Sequence, residues 1–267
     1  MQHKNKRKST ATRIKEHIFN FIDIYSISKG ESTDAYNTSV CYHPMAEAKY
    51  LSSLTTLFKC SIISENHFKS KVKDGVDRLN SNSIALNESK IAWGLGFQRN
   101  ELRKDEPYLI TTSLVVESLN SITATNIKIN AALATRDSAR KGLCHWIHKI
   151  NSKDCNNQEV PAYSPRIKEP IFNAAIYSIV THCTSEKDFE AEKYKQLIQW
   201  VNENYIENLG WAYSPNSDIV DLLHQAYILN SLAKLESPNS IESKAIDLIG
   251  NFSSLNGFID SGSVHKN

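Results

Sequence analysis

The sequence predicts an all-α fold, an α/α toroid of repeated helix pairs. Three observations predict it. Apolar residues recur at helical spacing along most of the 267 residues. Only 9 glycines and 7 prolines occur, and they cluster between those stretches. A weak internal repeat joins an aromatic-rich loop to the start of a helix, three times over.

The helices follow in chain order. Over 13–26, Ile14, Ile18, Phe19, Phe21, Ile22 and Tyr25 fall mostly on one stripe. Over 45–58 the stripe is Met45, Ala48, Leu51, Leu54, Leu57 and Phe58. Over 67–79 it is Phe68, Val72, Val76 and Leu79. Further helices are expected over 108–119, 131–150, 171–183, 189–204, 219–235 and 241–252. Strand alternation is nowhere sustained, and β-branched residues fall at helical rather than period-two spacing.

The repeat has one layout. Trp93-Gly94-Leu95-Gly96-Phe97 precedes a polar loop and then Pro107-Tyr108-Leu109 opening a helix. Ala162-Tyr163-Ser164-Pro165 precedes Glu169-Pro170-Ile171-Phe172-Asn173. Gly210-Trp211-Ala212-Tyr213-Ser214-Pro215 precedes Asp218-Ile219-Val220-Asp221. Tyr42-His43-Pro44-Met45 reads as a degenerate earlier copy. Proline suits a first helical turn, where its missing N–H would be unpaired anyway. Asp218 is expected to cap its helix, with Asp221 in the first turn beside the positive end of the macrodipole. One helix pair cannot bury its apolar face alone, so pairs must stack. About four to five pairs fit the length. The predicted organisation is a flexible basic N-terminus at 1–12, the toroid domain at 13–255 and a C-terminal tail at 256–267. Gly257-Phe258-Ile259-Asp260-Ser261 resembles the start of another aromatic loop. Two readings stay open there: an incomplete toroid closed by a protein partner or a second copy, or a tail.

Composition excludes several classes. Thirty-one basic residues against 29 acidic give a net charge of +2, too little for a strong nucleic-acid or membrane field. The run Lys4, Lys6, Arg7, Lys8 reads as a solvated terminus. No apolar run approaches the roughly 18 residues of a transmembrane helix. Asn20, Asp23 and Ser26 interrupt any signal-peptide core. Five scattered cysteines (Cys41, Cys60, Cys144, Cys155, Cys183) read as reduced thiols in a cytoplasmic protein. No GxGxxG after a strand, Walker A, GxSxG or EF-hand loop occurs, so no cofactor is expected.

Three constellations carry candidate chemistry. Asp221, His224 and Gln225 stand at i, i+3 and i+4, on one face of a helix start. A histidine beside a carboxylate can move protons, and Tyr213 can supply the opposite proton. In a toroid, the aromatics Trp93, Phe97, Tyr108, Tyr163 and Trp211 would line one mouth. Such faces, with Gln225 and Asn173, suit a sugar ring, and Arg166 suits a sugar carboxylate. The plainer alternative is that Asp221 caps its helix and holds His224 while the aromatics pack between pairs. The second group is Cys144-His145-Trp146-Ile147-His148, which lacks CxxC or HExxH spacing; no metal site is expected. The third is Gln98, Arg99, Glu101, Lys168 and Glu169, loop charges near the same mouth.

The segment from Gly210 to Tyr227 resembles the inner-helix start of α/α-toroid proteins of polysaccharide metabolism, in particular the C-terminal catalytic domain of D-glucuronyl C5-epimerase-like proteins. There an aromatic loop precedes an Asp, then a His followed by an aromatic on the same helix. The likeness spans roughly 40–260 and centres on 210–229. It implies a carbohydrate-active protein of polysaccharide or cell-envelope metabolism, of epimerase, lyase or hydrolase class, with a saccharide or polysaccharide precursor as ligand. Two alternatives stand beside it. One is a non-catalytic helical-repeat module binding a protein partner or a second copy. The other is a terpene-cyclase or prenyltransferase-like toroid, for which no acidic metal-diphosphate cluster is found.

Overall fold

Helices form where the apolar spacing calls for them, and the loops between them set the site. The computed structural model describes residues 31–32, 41–98, 101–154, 157–183, 191–207, 209–235, 244 and 263–265. The predicted helix over 13–26, the terminus at 1–12, nearly all of 241–252 and the loop 257–261 lie outside the described residues. Two units share the chain: Met1–Ser83, Gly94–Asp105 and Ser118–Asp137, and then Ile84–Trp93, Glu106–Glu117 and Ser138–Asn267.

In the first unit, β1 (Glu31–Ser32) pairs antiparallel with β2 (Cys41–Tyr42), and α1 (Pro44–Lys59) and α2 (Glu65–Ser81) follow. Pro44 occupies the first turn of α1. The Ser64 hydroxyl caps α2 by accepting from the His67 N–H. The α2 stripe is buried throughout, the α1 stripe at Ala48, Leu51 and Leu54 with Met45, Leu57 and Phe58 partly exposed, and Phe58 stacks on Phe68 with centroids 4.5 Å apart. Beneath them Glu47, fully buried, accepts two bonds from Arg78 at 2.8 and 3.0 Å. Gly96, at φ +85°, rests on the Tyr42 carbonyl, where a Cβ would come to 1.9 Å from the oxygen.

In the second unit, β3 (Ile84–Asn87) and β4 (Lys90–Ala92) form a hairpin. Helices α3 (Leu109–Thr123) and α4 (Asn130–Lys149) contribute residues to both units. A second hairpin joins β5 (Asn151–Lys153) to β6 (Glu159–Pro161). Then come α5 (Phe172–Cys183), α6 (Ala191–Glu203), β7 (Ile219–Asp221), α7 (Leu222–Leu232) and β8 (Ser263–His265), with β8 antiparallel to β7. The core gathers Phe172, Ile176 and Ile179 of α5, Leu197 and Trp200 of α6, Trp211, and Ile228 and Leu232 of α7. Helices α3 and α5 are buried nearly all round, as helices apolar on every side must be.

Two expectations need correction. The fold is helix-rich rather than purely helical: the described residues include four antiparallel strand pairs. Their strands are two to four residues long, too short to register an alternating pattern. The helix predicted over 219–235 starts three residues late. Ile219 and Val220 are β-branched and pair with β8, and Asp221 is the N-cap instead of Asp218. Among the described residues no helix is long and apolar enough to cross a membrane.

Candidate functional site

Backbone hydrogen bonds close the aromatic loops of the second unit on themselves, and one of them joins the first loop's helix to the second loop. The Tyr108 N–H donates to the Trp93 carbonyl at 2.9 Å and the Leu109 N–H to the Tyr163 carbonyl at 3.0 Å. Tyr163 N–H donates to Glu169 O at 3.3 Å and Tyr213 N–H to Ile219 O at 2.7 Å. Side chains repeat the link. Glu-Pro stands just before α3 and α5, at 106–107 and 169–170, and Tyr-Ser-Pro stands in the loop after each of those helix pairs, at 163–165 and 213–215. Ser164 donates to Glu106, and Ser214 donates to Glu169 at 2.5 Å. Glu106 also accepts from the Arg166 backbone at 3.1 Å and its Nε at 3.0 Å. Burial pushes the Glu106 carboxyl up, but the bonds from Ser164 and Arg166 outweigh it and hold the group below its ordinary value. In the first unit His43, also just before a proline, meets Phe97 edge-on at 5.1 Å.

The structure joins part of the predicted site. Asp221 caps α7, and its Oδ1 accepts both the His224 N–H at 3.0 Å and the His224 ring Nδ1–H at 2.7 Å. Burial pushes the Asp221 carboxyl up, and the side-chain and backbone bonds from His224 win, holding it below its ordinary value. An ionised carboxylate only accepts, so neutral His224 carries its proton on Nδ1 and a lone pair on Nε2. Tyr213 stands edge-on to the His224 ring, centroids 4.6 Å apart. Asp221, His224 and Tyr213 are all partly exposed.

The other predicted residues have different work. Trp93, Tyr108 and Trp211 are fully buried, and Tyr163 is 9% exposed, so the expected open stacking faces are loop cores in this structure. Tyr108 and Tyr163 pack on each other at 5.3 Å. The Trp211 indole donates to the Val201 carbonyl at 2.6 Å. Gln225 does not share the His224 face: its amide accepts from Trp211 N at 2.9 Å and donates to Trp211 O at 2.5 Å. Asn173 is buried in α5, and Arg166 is spent partly on Glu106. Phe97 belongs to the first unit. Trp146 is buried with its indole donating to Ala162 O, and among the described residues no three His, Cys, Asp or Glu group as a metal site would need.

Sequence reading missed a second cluster. Tyr177 of α5 donates to Glu117 of α3, and Lys234, just past α7, reaches the other oxygen of Glu117 at 3.2 Å. Burial, then Glu117, push the Tyr177 phenol far above its ordinary value. Tyr227 of α7 meets Tyr177 edge-on at 5.8 Å. The recurrence of tyrosine as the sixth residue of α5 and α7 was the available signal.

No family model matches the chain, and no curated protein sequence matches it. Solved structures do. A GH76 alpha-mannanase of Bacteroides thetaiotaomicron, a selenomethionine derivative, superposes with a TM-score of 0.58 at 11% identity, over 97% of this chain and 74% of that one. The cellobiose 2-epimerase of Bacillus thermoamylovorans gives a TM-score of 0.58 at 10% identity, over 94% of this chain and 78% of that one. Both are α/α-toroid carbohydrate-active enzymes. At these identities the likeness is one of fold, and the fold this chain resembles is theirs.

Proposed function

We propose that the chain is a carbohydrate-active α/α-toroid protein of polysaccharide or cell-envelope metabolism whose Asp221–His224 pair, with Tyr213, moves a proton on a saccharide. One observation carries the reading: a single carboxylate oxygen both starts the helix and orients the imidazole, leaving the Nε2 lone pair as a base. The reaction class is epimerase, lyase or hydrolase. The named activities of the two toroid neighbours, on mannan and on cellobiose, support a saccharide substrate. The test is a panel of manno- and gluco-oligosaccharides, assayed for binding by calorimetry and for turnover by NMR. His224→Gln is expected to lower turnover by roughly 10²–10⁴-fold while the helix content stays unchanged. No binding across the panel, or turnover indifferent to His224→Gln, sinks the reading.

A second reading has its own observation. Ile219 and Leu223, on either side of Asp221, are 42% and 64% exposed. That apolar pair favours a module that binds a protein partner.

A further inference from the structure

Among the described residues, the large apolar side chains left exposed are those of Ile219 and Leu223, and both stand within two positions of Asp221. The local backbone puts them beside the candidate base. Residues two apart in a strand share a face, and along β7 Ile219 is exposed, Val220 buried and Asp221 partly open. Ile219 and Asp221 therefore share the open face. The Ile219 carbonyl accepts from the Tyr213 N–H at 2.7 Å, and the Tyr213 ring meets His224 edge-on at 4.6 Å. Leu223 directly precedes His224 in the first turn of α7, the helix that Asp221 caps. Apolar and proton-moving groups thus make one patch. An apolar pair left open to water marks a contact, and its position here says with what. A protein seated on Ile219 and Leu223 would also lie over Asp221 and His224 and shut the base off. If the base works, the pair is covered by the ligand of the base itself.

We propose that the saccharide reaching His224 carries an apolar aglycone on its reacting unit, and that Ile219 and Leu223 hold this aglycone. The proposal rests on the carbohydrate reading above and names its substrate class, an amphiphilic glycoside rather than a free sugar. Ligand sites combine apolar lining with a few placed polar groups, and this patch has that composition. Holding the aglycone would keep the sugar in register at the base, the use that enzymes make of non-reacting parts of a substrate. A saccharide joined to a lipid chain and one joined to an aromatic ring share this chemistry, and two arms of the test separate them.

Calorimetric titration of the full chain compares free gluco- and manno-disaccharides with their octyl and phenyl glycosides, below the concentration at which the octyl compounds form micelles. Wild type is expected to bind at least one glycoside about tenfold more tightly than the free disaccharide, as the burial of roughly two methylene groups would give. A gain for the octyl arm assigns a lipid-linked saccharide, and a gain for the phenyl arm an aromatic aglycone. Leu223→Ser and Ile219→Thr should each cut the ratio of glycoside to free-sugar affinity to about threefold or less. Leu223 is the more exposed and lies outside the strand pair, so Leu223→Ser keeps the test open should Ile219→Thr loosen β7. Equal binding of glycoside and free disaccharide, a wild-type ratio in both variants, or equally tight binding of a sugar-free octyl surfactant overturns the proposal and leaves the carbohydrate reading standing. Self-association of the chain that Leu223→Ser abolishes, without a glycoside gain, overturns it in favour of a protein interface. Binding of no saccharide and no glycoside overturns both.

Discussion

At Asp221 one carboxylate oxygen serves two donors, the His224 amide and the His224 ring. Asp221→Ala removes the helix cap and the ring's anchor together. The cap alone is worth about 1 kcal/mol, so a urea melt at neutral pH should show a loss of that order. The pH dependence has a definite sign. The folded carboxyl is held below its ordinary value of 3.8 by the bonds from His224, which overcome the opposing effect of burial. Its contribution is therefore complete above the unfolded value and fades as pH falls through the folded one. The gap between wild type and Asp221→Ala should close as pH falls below about 4. A gap that stays open after the carboxyl is protonated would contradict the assignment. The Asp-x-x-His spacing was readable in the sequence because i, i+3 contact is a local property of a helix. The part played by Gln225 was not, because its partner is the backbone of Trp211, across a loop.

Among the elements, two close contacts decide stability. The helix α4 backs onto the β3–β4 hairpin through Gly142, where a Cβ would fall 2.2 Å from the Ile91 carbonyl oxygen. Alanine favours a helix over glycine by about 1 kcal/mol, yet the backbone of β4 would have to move. Gly142→Ala should therefore destabilise by about 1–3 kcal/mol, as overpacking does, measured by chemical denaturation. In the α1–α2 pair, burial pushes the Glu47 carboxyl up, and the two-pronged bond from Arg78 opposes it. Arg78→Met strands a buried carboxylate and should cost about 3–5 kcal/mol; the double change Glu47→Met with Arg78→Met should recover most of it. Helix positions were legible from apolar spacing, as α1 and α2 illustrate with Leu51, Leu54, Val72 and Val76. The short strands were not, since β7 takes its hydrogen bonds from a segment more than forty positions on.

At the scale of the whole chain, the aromatic loops of the second unit are joined by hydrogen bonds at Tyr163 and at Ser214, and most of their rings are buried. The repeat in the sequence marked the loops by their tryptophans and tyrosines, the largest side chains, and these are what a loop buries first. The groups left partly open are polar: Asp221, His224 and Lys234 belong to the last repeat and Glu117 to an earlier one, so spacing could pair only Asp221 with His224. What joins one repeat to the next is a small bond: Glu106 to Ser164, then Glu169 to Ser214. Donor and acceptor never belong to the same repeat. If residues 107–169 were excised, Glu106 would run directly into Pro170, and the next Tyr-Ser-Pro serine would be Ser214. The serine bond would be restored at the new junction, but the two bonds that Glu106 accepts from Arg166 would leave with the excised unit, so the junctions share one bond and differ in their charge.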